Sequence, residues 1–224
     1  MGQAIGDLLP SAIGVALSPI PIIAVILILA TPKARSNGPA FALGRVLGLI
    51  VVSVIVLLIA GGADEPDSNA SDSVHVGKVV IGVVFLLLAA KEWRARPQPG
   101  EEAEMPKFMS ALDQIAPGKS IVLGAALSAV NPKNLALTMA AAASIAQAGL
   151  SGGGTTVAVA VFVILGSLTV VGPVLYFMIA GERAAAPLAS IKEFMSAHNA
   201  VIMMVLFLVL GAKLLGNGIA GLSD

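Results

Sequence analysis

Lys133 is the residue whose type and surroundings ask most insistently for a chemical role. It stands in Asn131-Pro132-Lys133-Asn134, inside a long apolar run. An ammonium at the centre of a membrane helix costs a few kcal/mol and persists mainly where a cavity or a partner receives it. No Asp or Glu falls deep within any apolar run, so an internal carboxylate is not expected as its counter-ion. Three roles are open to it: binding an anionic group, carrying a proton as an amine whose pKa is lowered by desolvation, or joining the halves of the molecule through freed backbone carbonyls. Ser18, Ser128, Asn131, Asn134 and Thr138 supply uncharged hydrogen-bonding groups for the same place. A second proline cluster, Ser18-Pro19-Ile20-Pro21, interrupts another apolar run. Proline lacks a backbone donor and clashes with the preceding helical turn, which frees carbonyls that lipid cannot satisfy. The candidate binding residues are therefore Ser18, Pro19, Pro21, Ser128, Asn131, Pro132, Lys133 and Asn134.

These clusters occupy matching places in a duplicated unit. Gly14, Ala16, Leu17 and Ser18 fall on Gly124, Ala126, Leu127 and Ser128 when the two runs are overlaid. Leu43-Gly44 reads against Leu165-Gly166, and Phe85 to Lys91 against Phe207 to Lys213, at one common offset. Paired interrupted helices in a repeated hydrophobic chain point to the binding site of a transporter near the bilayer midplane.

The elements that must position these residues follow from composition. The chain is 57% hydrophobic and only 12% charged, with a mean hydropathy of +0.96, too apolar for a wetted surface. A chain of 224 residues holds about six spans of roughly 20 residues and little else. Apolar runs lie at about 10 to 30, 40 to 62, 75 to 93, 119 to 146, 155 to 180 and 198 to 219. The expectation is an all-α polytopic membrane protein, six transmembrane helices arranged as a 3+3 inverted repeat with interrupted first and fourth helices. Residues 1–93 form the first repeat, 94–118 a cytoplasmic linker and 119–224 the second repeat. Three spans per half is an odd number, so the second copy enters from the opposite side.

Lys33 and Arg35, then Arg94, Arg96, Lys107 and Lys119, then Arg183 and Lys192 occupy the connections on one face. The other face offers Lys78 beside Asp64, Glu65, Asp67 and Asp72. The positive-inside rule places both termini outside the cytoplasm, with the protein in the cytoplasmic membrane. Met1 to Pro10 carries Asp7 and no Lys or Arg, so the first run is expected to be retained as a span rather than removed as a signal. Arg45 and Lys213 lie near span ends and are expected to snorkel to the interface. Phe108, Met109, Leu112 and Ile115 predict a short interfacial helix in the linker, and Leu188, Ile191, Phe194 and Met195 a weaker one. Gly44, Gly48, Gly166 and Gly172 are expected to allow close helix packing, and Pro173 to bend the fifth span.

Several functions are disfavoured by what the chain lacks. There is no cysteine, which removes disulfides, thiolate metal sites and dithiol relays. Without intramembrane carboxylates, metal or cation export lacks its hard anionic oxygens. No catalytic triad or phosphate loop is present, so neither an enzyme activity nor a cofactor is expected, and equal acidic and basic counts give no reason to expect nucleic acid.

The residues Ile13 to Pro21, Leu43-Gly44-Arg45, Ala126 to Asn134 and Gly211-Ala-Lys213 resemble the peptidoglycolipid addressing proteins, the GAP family of the lysine exporter superfamily, which includes sulfolipid-addressing proteins. The resemblance covers essentially the whole chain. It implies outward movement of a small molecule or lipid, in the manner of family members associated with delivering mycobacterial glycolipids to the cell surface beside a large lipid transporter. The family's central motif positions fall on Pro19, Pro21, Asn131 and Pro132, with Lys133 adjacent. Proline replaces the Asn that would complete an Asn-Pro pair in the first copy. The branch that carries reducing equivalents through paired cysteines is excluded. On this reading the protein is an exporter, or an export accessory, for a lipid-linked or anionic amphipathic substrate of glycolipid type, working by alternating access. The rivals are a small-solute exporter of the amino-acid type and a non-transporting scaffold of a lipid-export complex. Expected partners are membrane lipid, the substrate, a larger lipid transporter and a second copy of the chain in a homo-oligomer.

Overall fold

The computed structural model describes residues 1–61, 68–96 and 115–223. These residues are helical with no strand: α1 Gly2–Ala16, α2 Pro19–Leu29, α3 Ala34–Gly61, α4 Ser68–Arg94, α5 Pro117–Ala129, α6 Pro132–Gln147, α7 Gly152–Ala180, α8 Ala185–Ala197 and α9 Asn199–Ser223. A 3-10 turn, Gly181–Ala184, joins α7 to α8. Among the described residues, Ala34–Ile59, Gly152–Ala197 and Asn199–Leu222 are long and apolar enough to cross a membrane. A fourth such span exists if α1 and α2, which meet at 49°, count as one broken helix. At 13 and 16 residues, α5 and α6 are each shorter than the ~20 residues a crossing needs.

Several expectations change. The first helix starts at Gly2 rather than near residue 10 and runs through Pro10. The carbonyl that Pro10 leaves without a helical donor belongs to Gly6, an exposed residue. The gap between the runs ending near 146 and starting near 155 narrows to residues 148–151, because Ser151 caps α7 by accepting from the Gly154 N–H at 3.4 Å. The polar connection after Gly181 is mostly helix α8, whose stripe divides: Leu188 and Met195 pack inward, while Ile191 and Phe194 are exposed. Asp64, Glu65, Asp67, Phe108, Met109 and Leu112 lie outside the described residues, as does the side chain of Asp72.

The chain divides into two compact units, each assembled from both sequence halves: α1–α3 with α5–α8, and α4 with α9. In the first, α3 packs on α5 and α6, α7 packs on α1 and α2, and α1 also meets α6. Its centre is α2, Pro-Ile-Pro-Ile-Ile-Ala-Val-Ile-Leu-Ile-Leu, with nine of its eleven residues buried. A helix apolar on every side has no face to offer water, so it becomes core. Phe41, Val170, Val174 and Leu188 close around it. Asn37 pins the start of α3 to the Ile115 carbonyl at 2.8 Å.

Small residues set the tightest crossing. A Cβ added at Gly44 would lie 2.0 Å from the Ile121 carbonyl oxygen, and one at Gly124 2.2 Å from that of Phe41. The backbones of α3 and α5 therefore touch, and only glycine fits there. Gly48 and Gly166 are also closely approached, as expected; Gly172 has nothing within 4 Å and plays no such part. In the second unit, Gly82 and Gly211 bring α4 and α9 together, and the Phe85 and Phe207 rings meet in a tilted pair with centroids 5.4 Å apart at 55°.

Candidate functional site

Both breaks follow one backbone rule. Proline disfavours helical geometry in the residue before it, and its missing N–H costs nothing at the first position of a helix. Ser18 (φ −74°, ψ 112°) and Asn131 (φ −63°, ψ 115°) are accordingly extended, and Pro19 and Pro132 each start a new helix. The prolines thus restart helices rather than kink them from inside, and the two apolar runs are interrupted where the sequence places the breaks. At the second break the cap is complete. Asn131 Oδ1 accepts from the Lys133 N–H at 3.1 Å, and its carbonyl accepts from the Leu135 N–H at 2.9 Å. Ser18 makes no side-chain cap bond at the first.

What the breaks free are the last carbonyls of α1 and α5, and one side chain reaches both. Arg45 projects from α3 and is 1% exposed. Its Nη2 donates to the Val15 carbonyl at 3.0 Å and the Gly166 carbonyl at 3.4 Å. Its Nη1 donates to Ser128 Oγ at 3.3 Å and the Leu127 carbonyl at 3.4 Å. Nε is buried with no partner among the described residues. Each helix C-terminus carries roughly half a negative charge, so two of them offer about one unit of compensation to the guanidinium. A buried cation with no carboxylate among its described partners is thereby accommodated. The surrounding bonds extend the knot. Thr169 Oγ1 donates to the Ala16 carbonyl, Asn134 Nδ2 to the Leu127 carbonyl at 3.0 Å, and Thr138 Oγ1 to the Asn134 carbonyl at 2.8 Å.

Ser128 and Asn134 are fully buried, Ser18, Pro19, Pro21 and Lys133 (6% exposed) are buried, and Asn131 is half-buried. Ser128, Asn131, Asn134 and the Lys133 amide cluster at the second break. Ser18 and its prolines follow Val15 by one turn, so Arg45 is the tie between the two groups. Residues 8–220, which include every residue of this site, match the family model described as Sap, sulfolipid-1-addressing protein. The chain belongs to that family. No curated protein and no solved structure matches it.

For this member of the sulfolipid-1-addressing family, the residue that sequence reasoning misplaced is Arg45. It was expected to snorkel, but it sits eleven residues into α3, about 16 Å along the axis at ~1.5 Å per residue. A usable signal was present: Arg45 lies between Gly44 and Gly48, whose spacing marks a face turned toward protein rather than lipid. Thr169 and Ser167 were also missed. Both are hydroxyls on a helix whose overall apolarity hid them. Chemically, the site is a hydrogen-bonded lock around a fixed positive charge. Among the described residues, no group of three His, Asp or Glu side chains is placed to hold a metal ion.

Proposed function

We propose that this protein exports, or assists the export of, a lipid-linked amphipathic molecule across the cytoplasmic membrane by alternating exposure of the centre where the two broken helices meet. The observation that carries this reading is Arg45, bound at once to the ends of α1 and α5 in a buried, occluded arrangement. Its two terminal nitrogens divide the labour. Nη2 holds α1 and α7, while Nη1 holds α5. Opening to one side releases one pair of bonds while the other persists, and water or cargo must replace what is lost. The six-span inverted repeat belongs to this proposal. It is supported by the exchange of roles between halves, α3 packing on α5 as α7 packs on α1, and by the sequence-equivalent Phe85 and Phe207 facing each other. The family name supports a lipid as cargo. Lys133, one residue beyond the second proline, is the group assigned to meet it. Energy comes from a gradient or from a partner transporter.

The test compares extractable surface lipids of a deletion strain with its parent, then complements the deletion with wild type or Lys133→Ala. The proposal expects a surface lipid to be lost, restored by wild type and not by the variant. An unchanged lipid profile on deletion overturns it. The four-bond cross-link at Arg45 also favours a second reading, a rigid scaffold in a lipid-export complex. That reading expects co-purification with a lipid transporter and full complementation by Lys133→Ala.

A further inference from the structure

We infer that the C-terminal end of α4 binds the headgroup of an anionic bilayer phospholipid. A groove of about 490 Å³ lies there, lined by Leu87, Ala90, Lys91, Arg94 and Ala95. Lys91 and Arg94 occupy the last turn of α4, where the helix dipole favours cations, and their spacing of three residues puts both on one face. That same face continues toward the helix start as Val80, Val84 and Leu87, all exposed apolar side chains. From residue 80 to residue 94 the face thus reads apolar, apolar, apolar, cationic, cationic. Trp93 is half-exposed, and the Arg96 guanidinium lies 3.6 Å from its ring centroid, a cation–π contact that keeps a third positive charge at the rim. Tryptophan beside Lys and Arg is what the level of the headgroups selects.

The occupant follows from the order of these groups. A free anion would use the cations but has nothing to place against Val80, Val84 and Leu87. A zwitterionic lipid would cover the apolar strip but gains little from Lys91, Arg94 and Arg96, which outnumber Glu92, the one carboxylate in this stretch of α4. An anionic phospholipid does both, its phosphate between Lys91 and Arg94 and its acyl chain down the strip. The sequence-equivalent end of α9 keeps only Lys213, with Leu215, Gly216 and Gly218 where α4 has Trp93, Arg94 and Arg96. The site is therefore built at one end of one copy and does not depend on the transport reading.

The test uses the purified full-length protein in mild detergent, with lipid retention read by native mass spectrometry. The probes are phosphatidylglycerol and phosphatidylcholine with identical chains, and inorganic phosphate as competitor. Two basic side chains near a membrane surface predict a preference for phosphatidylglycerol of about 30-fold. The Lys91→Gln, Arg94→Gln double variant is expected to bring it within about threefold, with an unchanged melting temperature. In the wild type, 1 M salt, where the screening length is ~3 Å, is expected to collapse the preference. Equal retention of the two lipids by wild type, a preference that survives the double substitution, or displacement by phosphate at the lipid's own concentration would overturn the assignment.

Discussion

Replacing Arg45 measures what its cross-link contributes. One of its four bonds, to Val15 at 3.0 Å, has ordinary length, and the other three are 3.3 to 3.4 Å. Interhelical hydrogen bonds in membranes average ~0.6 kcal/mol and reach ~1.7, so the set is worth about 2–3 kcal/mol. The carbonyls left behind are not all orphaned. Leu127 keeps the Asn134 amide, and Val15 keeps a long bond from the Ser18 N–H at 3.4 Å. The void is the other large term, because Arg45 heads the largest fully buried side chains, and truncating such a residue to alanine costs about 2–5 kcal/mol. Relief of the guanidinium's desolvation, itself several kcal/mol, offsets part of both. Arg45→Ala is therefore expected to destabilise by about 3–5 kcal/mol, a large share of a typical ~5–15 kcal/mol. Arg45→Met fills most of the void without the charge and should recover about half. Arg45→Lys keeps the charge, but a single nitrogen cannot hold α1 and α5 together, so it should recover no more than Met. Equilibrium unfolding of purified protein in mixed micelles reads these differences. An alanine variant within about 0.5 kcal/mol of wild type, or a lysine variant equal to wild type, would refute the cross-link.

Four further predictions follow from the same geometry. Gly44→Ala or Gly124→Ala drives a methyl into backbone oxygen 2.0 or 2.2 Å away; α3 and α5 must separate, and folded yield should collapse in a detergent gel-filtration assay. Gly172→Ala, with open space around it, should be neutral or stabilising by up to ~1 kcal/mol through helix propensity. Lys133→Ala should insert normally yet reduce export at least tenfold in the complementation assay, and normal export would remove Lys133 from the mechanism. Asn131→Ala deletes the side-chain cap on α6 and should cost about 1 kcal/mol in the same unfolding titration.

How much of this was legible in the chain depended on which physics each residue expresses locally. The breaks were legible because proline acts on its immediate neighbours: the interruptions fall at Leu17-Ser18 and Val130-Asn131, as the motifs required. Whether a proline kinks a helix or starts one is also local, and the extended residues before Pro19 and Pro132 show that the motif itself selects a restart. Gly44 and Gly48 were readable from spacing, whereas Gly172, with the same composition around it, was not, because contact depends on which face a neighbour occupies. Arg45 was misread for a similar reason. Its partners, Val15, Leu127, Ser128 and Gly166, are 30 to 121 residues away and three of them act through backbone carbonyls, which leave no trace in side-chain type. The stripe of α8 was legible as helix, but its division into packed Leu188 and exposed Ile191 and Phe194 required knowing where α2 lies.

The central claim is that Arg45 closes the meeting point of the two broken helices against water. The chain has no cysteine, so a single thiol can be placed at Ser167, a buried hydroxyl with no partner among the described residues, beside the Gly166 carbonyl that Arg45 holds. The direct measurement is the rate at which a membrane-impermeant maleimide labels Ser167→Cys in right-side-out and inverted vesicles, with Arg45 present and with Arg45→Gln. With Arg45 in place, labelling should be slow from both faces, and Arg45→Gln should speed it by at least tenfold from one face or both. Rapid labelling with Arg45 intact, or no labelling from either face once Arg45 is gone, would contradict the account.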